Sequence, residues 1–372
     1  MSVVFALLTA VHGLIHLMGP AKAFGWAELP ELTDSISPGM GVVWLFAAVS
    51  MLVTAVLVAT SSRYWWVAAL VAVALSQAVV FSAWGDARWG TIANALILIG
   101  GLFGFLSEGP SSLRAEYRRA VQSRLVDAPM PSLFNESGLH ALPDPVAEYL
   151  RRTGVPGRPV ARHARAEWRG RIRSSPTEDW MEFTAEQYNF PAEPARFFFM
   201  KARRGFLPVD VLHVFENGHA SMRVQLLSAV PLVHAQGPEM TQAETVTLLN
   251  DMLLFIPSAL GDSDVRARLR WDPVDRNSAR VFYRLGANEV SAELVFNDRS
   301  ELVDFVSDDR FAASSDGSEF VQWRWSTPVH GYRDFNGLTL MSRGEGLWHA
   351  PDGTFPYIEL ELTALEVNGA AR

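Results

Sequence analysis

Residues 40–60 read MGVVWLFAAVSMLVTAVLVAT, without one charged side chain. A run this long and this apolar matches the ~20 residues an α-helix needs to cross the hydrocarbon core of a bilayer. Val3–Met18, Tyr64–Ala83 and Gly90–Leu106 are similar segments, so residues 1–107 read as a transmembrane four-helix domain. Trp44, Tyr64, Trp65, Trp66, Trp84 and Trp89 stand mostly near segment ends, where amphipathic rings settle at headgroup level. A cleaved signal peptide is the alternative for the first segment. Met1-Ser2-Val3-Val4 lacks the basic start such signals carry, and three further spans follow, so an anchor is the better reading.

The remainder is ordinary in polarity and long enough for one large domain. The net charge of -8 argues against a nucleic-acid partner, which needs a basic stripe to neutralise phosphates. With no cysteine, disulfides, thiolate catalysis and Cys-based metal sites are excluded. Lys22 and Lys201 are the only lysines among 32 basic residues, a skew that reads as coding bias.

Residues 108–139 read as a juxtamembrane helix, Ser112–Arg124, followed by a turn-rich linker over Asp127–Gly138 that contains Pro129 and Pro131. Arg114, Arg118, Arg119 and Arg124 crowd beside the last span and, with Arg63, favour the cytoplasmic side. An inner-membrane, multi-pass protein with a cytoplasmic soluble domain is therefore expected. Pro143–Thr153 reads as a short helix closed by Gly154.

Beyond Ala164 the period drops to two: Trp168, Gly170 and Ile172 alternate with Arg169, Arg171 and Arg173. Further strands are expected at 180–188, 196–202, 209–216 and 221–228, with Asn217-Gly218 as the clearest hairpin turn. A helix over about 241–260 interrupts them, with Thr241 and Glu244 read as a capping box and Leu249, Met252, Leu253, Ile256 and Leu260 as its apolar stripe. Strands resume at 267–271, 279–285, 290–296, 302–307, 320–326, 338–348 and 357–367. The fold class expected for residues 140–372 is α+β, a large curved antiparallel sheet packed on one long helix. Two smaller sandwiches split near Gly237 are the alternative.

The runs Leu142-Pro143-Asp144-Pro145-Val146 to Tyr149-Leu150, Gly154-Val155-Pro156, Trp180-Met181-Glu182-Phe183-Thr184-Ala185-Glu186-Gln187-Tyr188 and Trp271-Asp272-Pro273-Val274-Asp275 then Ser278-Ala279-Arg280 resemble an uncharacterised bacterial family. Its soluble region is a domain of unknown function, and some members carry an N-terminal membrane segment. The resemblance implies no catalytic residues. In outline, a meander closed by a helix is also similar to the half-barrels of lipoprotein carriers, which hold an acyl chain between sheet and helix, a likeness of fold only.

His12 and His16, four apart on one face of the first span, could hold a metal or a haem edge. Two ligands are too few, and the other spans contain no His, Asp or Glu, so a structural role is favoured, with Gln77 and Asn94 supplying hydrogen bonds across the bundle and no cofactor expected. Gly100 and Gly104 form a GxxxG pattern suited to helix packing inside the bundle. Phe198, Met200, Phe206, Val211 and Phe215 lie in strands apolar on both faces, and with Trp323, Trp325 and Trp348 they are candidate linings for an apolar ligand. Glu359 and Glu361 share a strand face but show no partner to perturb them, and Asp309, His330 and His349 have no motif context. No catalytic motif is present, so binding of a lipid or apolar small molecule is expected over catalysis. A membrane redox or metal protein using His12 and His16, and a docking module for another membrane protein, are the alternatives.

Overall fold

A computed structural model describes residues 2–125, 131–314 and 316–369. The chain divides into two compact units, Met1–Ala115 and Glu116–Arg372. The linker reading falls partly on residues 126–130, which lie outside the described residues.

The first unit is helical: α1 (Ser2–His16), α2 (Met18–Ala23), α3 (Pro38–Ala59), α4 (Trp65–Ser82), α5 (Trp84–Ala87) and α6 (Gly90–Glu108). Among the described residues, four helical segments are long and apolar enough to cross a membrane. Apolar residues such as Val4, Leu7, Phe46, Val56 and Ile99 face outward, whereas His12, His16, Ser76 and Asn94 are buried. This inversion of a water-soluble bundle is what hydrocarbon as solvent selects. Helix α1 packs on α3, α3 on α4, and α4 on α6. Small residues permit the approach: a Cβ on Gly100 would meet the Phe5 ring at 2.3 Å, and one on Gly104 would meet Trp66 Cβ at 2.6 Å.

The second unit takes in most of α7 (Leu113–Arg124), then α8 (Asp144–Thr153), ended by Gly154 at φ +79, a left-handed cap that favours glycine. Strands β1 (Ala164–Ile172), β2 (Met181–Phe190), β3 (Ala195–Arg204), β4 (Leu207–Glu216), β5 (His219–Leu226) and β6 (Val230–Gln236) form an antiparallel meander. Gly237, at φ +119, turns the chain into α9 (Pro238–Leu254), and α10 (Ser263–Ala267) follows. The second run is β7 (Leu269–Asp275), β8 (Ser278–Leu285), β9 (Asn288–Phe296), β10 (Leu302–Ser307), β11 (Phe311–Ala313), β12 (Phe320–Gln322), β13 (Arg324–Ser326), β14 (Val329–Phe335), β15 (Leu338–Ala350) and β16 (Gly353–Val367).

One 14-stranded sheet runs β6-β5-β4-β3-β2-β1-β16-β15-β13-β10-β9-β8-β7, with β14 paired to β15. The sheet is continuous across the point where two sandwiches would divide, because β1 and β16, far apart in sequence, pair from Ala164↔Val367 to Ile172↔Ile358. It is open and curved, a half-barrel with α9 on its inner face. Nearly every residue of α9 from Met240 onward is buried, which makes this helix the hub of the core.

The structure adds strands that the sequence reading missed, β6 and β14 among them, and departs from it around α9 and β12. Thr241 is not the helix N-cap: α9 begins at Pro238, and the Thr241 hydroxyl donates to Gly237 O while accepting from Ala220 N. The helix stops at Leu254 rather than near residue 260, since Pro257 cannot continue it and Ile256 before it, at φ -126 and ψ 40, lies outside the helical region. The strand expected over 320–326 breaks at Trp323: β12 pairs with β11 in a separate two-stranded sheet, while β13 joins the main sheet.

A candidate binding cavity over a buried charge network

Strand alternation builds the site. In β3, Phe197 and Phe199 point one way, and the Tyr117 ring of α7 lies tilted against that of Phe199, 5.8 Å between centres. Arg196, Phe198 and Met200 point the other way, towards α9. Both faces of the strand are apolar because one is covered by a helix and the other faces a cavity. Register carries the cavity face across the sheet: Met200 pairs with Val211, Phe198 with His213 and Gln187, and Arg196 with Asn189.

The cavity, ≈ 200 Å³, lies between this face and α9. Trp168, Ile172, Phe183, Met222, Phe255 and Leu360 contribute to a mostly apolar wall. One side is polar. The Arg196 guanidinium reaches Glu244 Oε1 and Asp251 Oδ2, each at 2.8 Å, and Gln187 Oε1 at 3.1 Å. Asp251 Oδ2 also accepts from Gln187 Nε2 at 2.7 Å and Asn189 Nδ2 at 2.9 Å. His213 Nε2 lies 3.0 Å from Glu244 Oε2. Glu244, Thr247 and Asp251 form one stripe of α9, spaced three and four residues apart as a helix face requires.

The two carboxylates are driven in opposite directions. Burial pushes Glu244 up, but Arg196 and then His213 outweigh it and hold the carboxyl at about 2. Burial dominates at Asp251 and raises it despite Arg196 and Asn189. Glu244 is therefore the firmly ionised partner of Arg196.

Phe198, Met200, Val211 and Trp325 line this cavity. Phe206 does not: it sits beyond the end of β3, at the tip of the hairpin to β4, and is 82% exposed. Phe215 is buried beneath a second, more open cleft that Arg124 and Arg268 also line. Trp348 is buried behind the wall, its ring 5.5 Å from that of Tyr357, and Trp323 packs edge-on to it. Glu359 and Glu361 lie on the opposite face of the sheet, paired with Arg171 at 2.6 Å and Arg169 at 2.8 Å, which is the arginine alternation of β1 seen from outside. His349 bonds Ser326 and Thr354, His330 bonds Glu345, and Asp309 accepts from Ser291.

In the helical unit, Ser76 Oγ meets His12 Nε2 at 3.2 Å and His16 Nε2 at 2.6 Å, and it donates to Asn94 Oδ1. Asn94 Nδ2 donates to Gln77 Oε1 at 3.0 Å. The imidazoles are thus surrounded by hydroxyl and amide groups. Among the described residues no cluster of three or more His, Asp or Glu side chains is placed to share a metal ion.

Asp304 in β10 is a further, half-buried acid. Its Oδ1 has no hydrogen-bond partner, and burial pushes the carboxyl up to about 6 against the backbone amides of Phe305 and Thr327. Because the folded value lies above the ordinary 3.8, ionisation costs stability. That cost is absent well below the ordinary 3.8, grows as pH rises, and is complete above the folded value. Asp304→Asn is expected to stabilise the β unit by about 1 kcal/mol at pH 8, solvent screening included, and by almost nothing at pH 3. Chemical denaturation at the two pH values measures it; an equal effect at both would contradict the assignment.

Residues 132–360 match the model of a family of unknown function, DUF6544. The chain belongs to this family. No curated protein sequence matches it. Among solved structures, the DUF6544 chain is similar to a DUF1329 family protein from Desulfovibrio piger ATCC 29098, at 10% identity and TM-score 0.35, covering 65% of this chain and 96% of that one. It is also similar to a LolA superfamily protein from Nitrosomonas europaea, at 7% identity and TM-score 0.33, covering 64% and 96%.

Proposed function

We propose that the β unit of this DUF6544 protein binds a single apolar or amphiphilic chain, lipid-like in character, beside a bilayer that the helical unit spans. The observation that carries the reading is the cavity itself: a mostly apolar wall formed by one face of β1–β5 together with residues of β13, β15 and β16, closed by α9, with a charge network at one side. Drug-sized ligand pockets run to about 300–1,000 Å³. A ≈ 200 Å³ cavity suits one chain better than a ring system. The arginines of α7 favour placing the β unit on the cytoplasmic side, and a reporter fused after residue 372 that is active only outside the cytoplasm would reverse that placement.

Filling the cavity tests the binding. Val211→Trp adds a ring on the wall where Val211 faces Met200 across the ladder. The full chain released from detergent micelles into native mass spectrometry is expected to carry a lipid-mass adduct, and the variant to lose at least nine-tenths of it. Equal adducts on both would place the ligand elsewhere.

A further inference from the structure

Arg310, between β10 and β11, stands on the cavity wall. Its Nη1 donates to the Thr247 hydroxyl of α9, and the guanidinium carbon lies 4.1 Å from the centre of the Trp325 ring and 5.7 Å from that of Trp348. Two indoles and a hydroxyl fix its orientation without neutralising it. Its Nε is buried with no hydrogen-bond partner, which leaves a costly orphan donor in a water-poor site.

The other charges around the cavity are committed. Arg196 holds Glu244 and Asp251 at 2.8 Å, His213 stands against Glu244, and Glu345 is engaged by His330 at 2.9 Å. Among the described residues no carboxylate lies within ion-pair distance of Arg310. Glu244 feels the Arg310 charge, but its oxygens are taken up by Arg196 and His213, and Asp251 Oδ2 is held by Arg196, Gln187 and Asn189, so the Arg310 guanidinium has no acid in contact with it. A guanidinium presents fixed donors in the plane that carboxylate and phosphate oxygens match.

Resting on the binding reading above, we propose that the cavity takes an anionic amphiphile, with the acidic head group against Arg310 and the chain along the apolar wall. Carboxylate and phosphate monoester heads share the required chemistry. A neutral alcohol of equal chain length lacks it.

Equilibrium dialysis of the full chain in a nonionic detergent, against octanoate, octyl phosphate and octanol separately, tests this. The Val211→Trp protein serves as the blank for micelle partitioning. Wild type is expected to bind at least one of the two anions tenfold or more tightly than octanol, and whichever anion leads identifies the head group. Arg310→Met should abolish that preference while keeping octanol binding, and Arg310→Lys, which preserves the charge, should keep part of it even if the methionine variant folds poorly. Equal binding of octanol and both anions by wild type would overturn the proposal and leave chain binding intact. Absence of specific binding by all three would instead sink the chain-binding reading beneath it.

Discussion

Arg196→Met is expected to destabilise the β unit by about 3–5 kcal/mol at pH 7, the largest effect of any single substitution considered. The replacement roughly keeps the volume but strips two buried carboxylates of their shared cation, and uncompensated buried charge is what makes broken internal ion pairs so costly. In the wild type Glu244 sits below its ordinary 4.5, so its contribution is full above that value and is lost as pH falls towards 2. Without Arg196 the sign reverses: burial, opposed at Glu244 only by His213 and Arg310, lifts the acids, and the variant becomes less stable as pH rises from 4 to 7. Adding Glu244→Gln and Asp251→Asn to Arg196→Met should restore most of the loss, because neutral amides need no counterion. Urea denaturation across pH, followed by near-ultraviolet dichroism, measures all of this. A methionine variant as stable as wild type at pH 7 would mean that the network holds nothing together.

Leu249→Ala should cost about 2–5 kcal/mol for a different reason. Leu249 is 0% exposed, and truncating a buried leucine loses transfer energy and leaves a void that a packed helix cannot collapse. Leu249 is absent from the cavity wall, so the binding affinity of the folded fraction should stay within twofold of wild type. Thermal melts combined with the dialysis assay separate the two quantities. A Leu249→Ala protein that melts normally but binds weakly would show that α9 adjusts its position with its ligand.

The pairing of those two predictions reflects which parts of α9 could be read in advance. Leu249, Met252 and Leu253 recur at helical spacing, so the apolar stripe is legible. Glu244 is visible too, but a glutamate three residues after a threonine at a helix start reads as a cap. Only the position of β3, brought beneath α9 by the meander, turns Glu244 into the partner of Arg196. Arg310 lies 63 residues from Thr247, its partner on the helix, and it gives no local signal at all. A charged side chain sharing a strand face with Phe198 and Met200, and two acids seven apart on an otherwise buried helix, are the hints that could have pointed to the network.

The linings divide in the same way. Phe198, Met200 and Val211 follow from strand periodicity plus apolarity. Phe206 satisfies the same pattern, yet it falls at a hairpin tip, and a one- or two-residue shift in where a strand ends decides between core and solvent. Trp323 and Trp325 read as one strand face until β12 and β13 are seen to pair with different neighbours.

By itself the sequence determined four apolar helices, an antiparallel sheet later in the chain and a long central helix, because those features depend on runs and periods within a few residues. Only the tertiary structure decided that β1 and β16 close one sheet, that the sheet curves over α9, and that Arg196, Glu244, Asp251 and Arg310 meet at one cavity. Those contacts join residues tens to about two hundred positions apart, where local spacing carries no information and register and burial choose the partners.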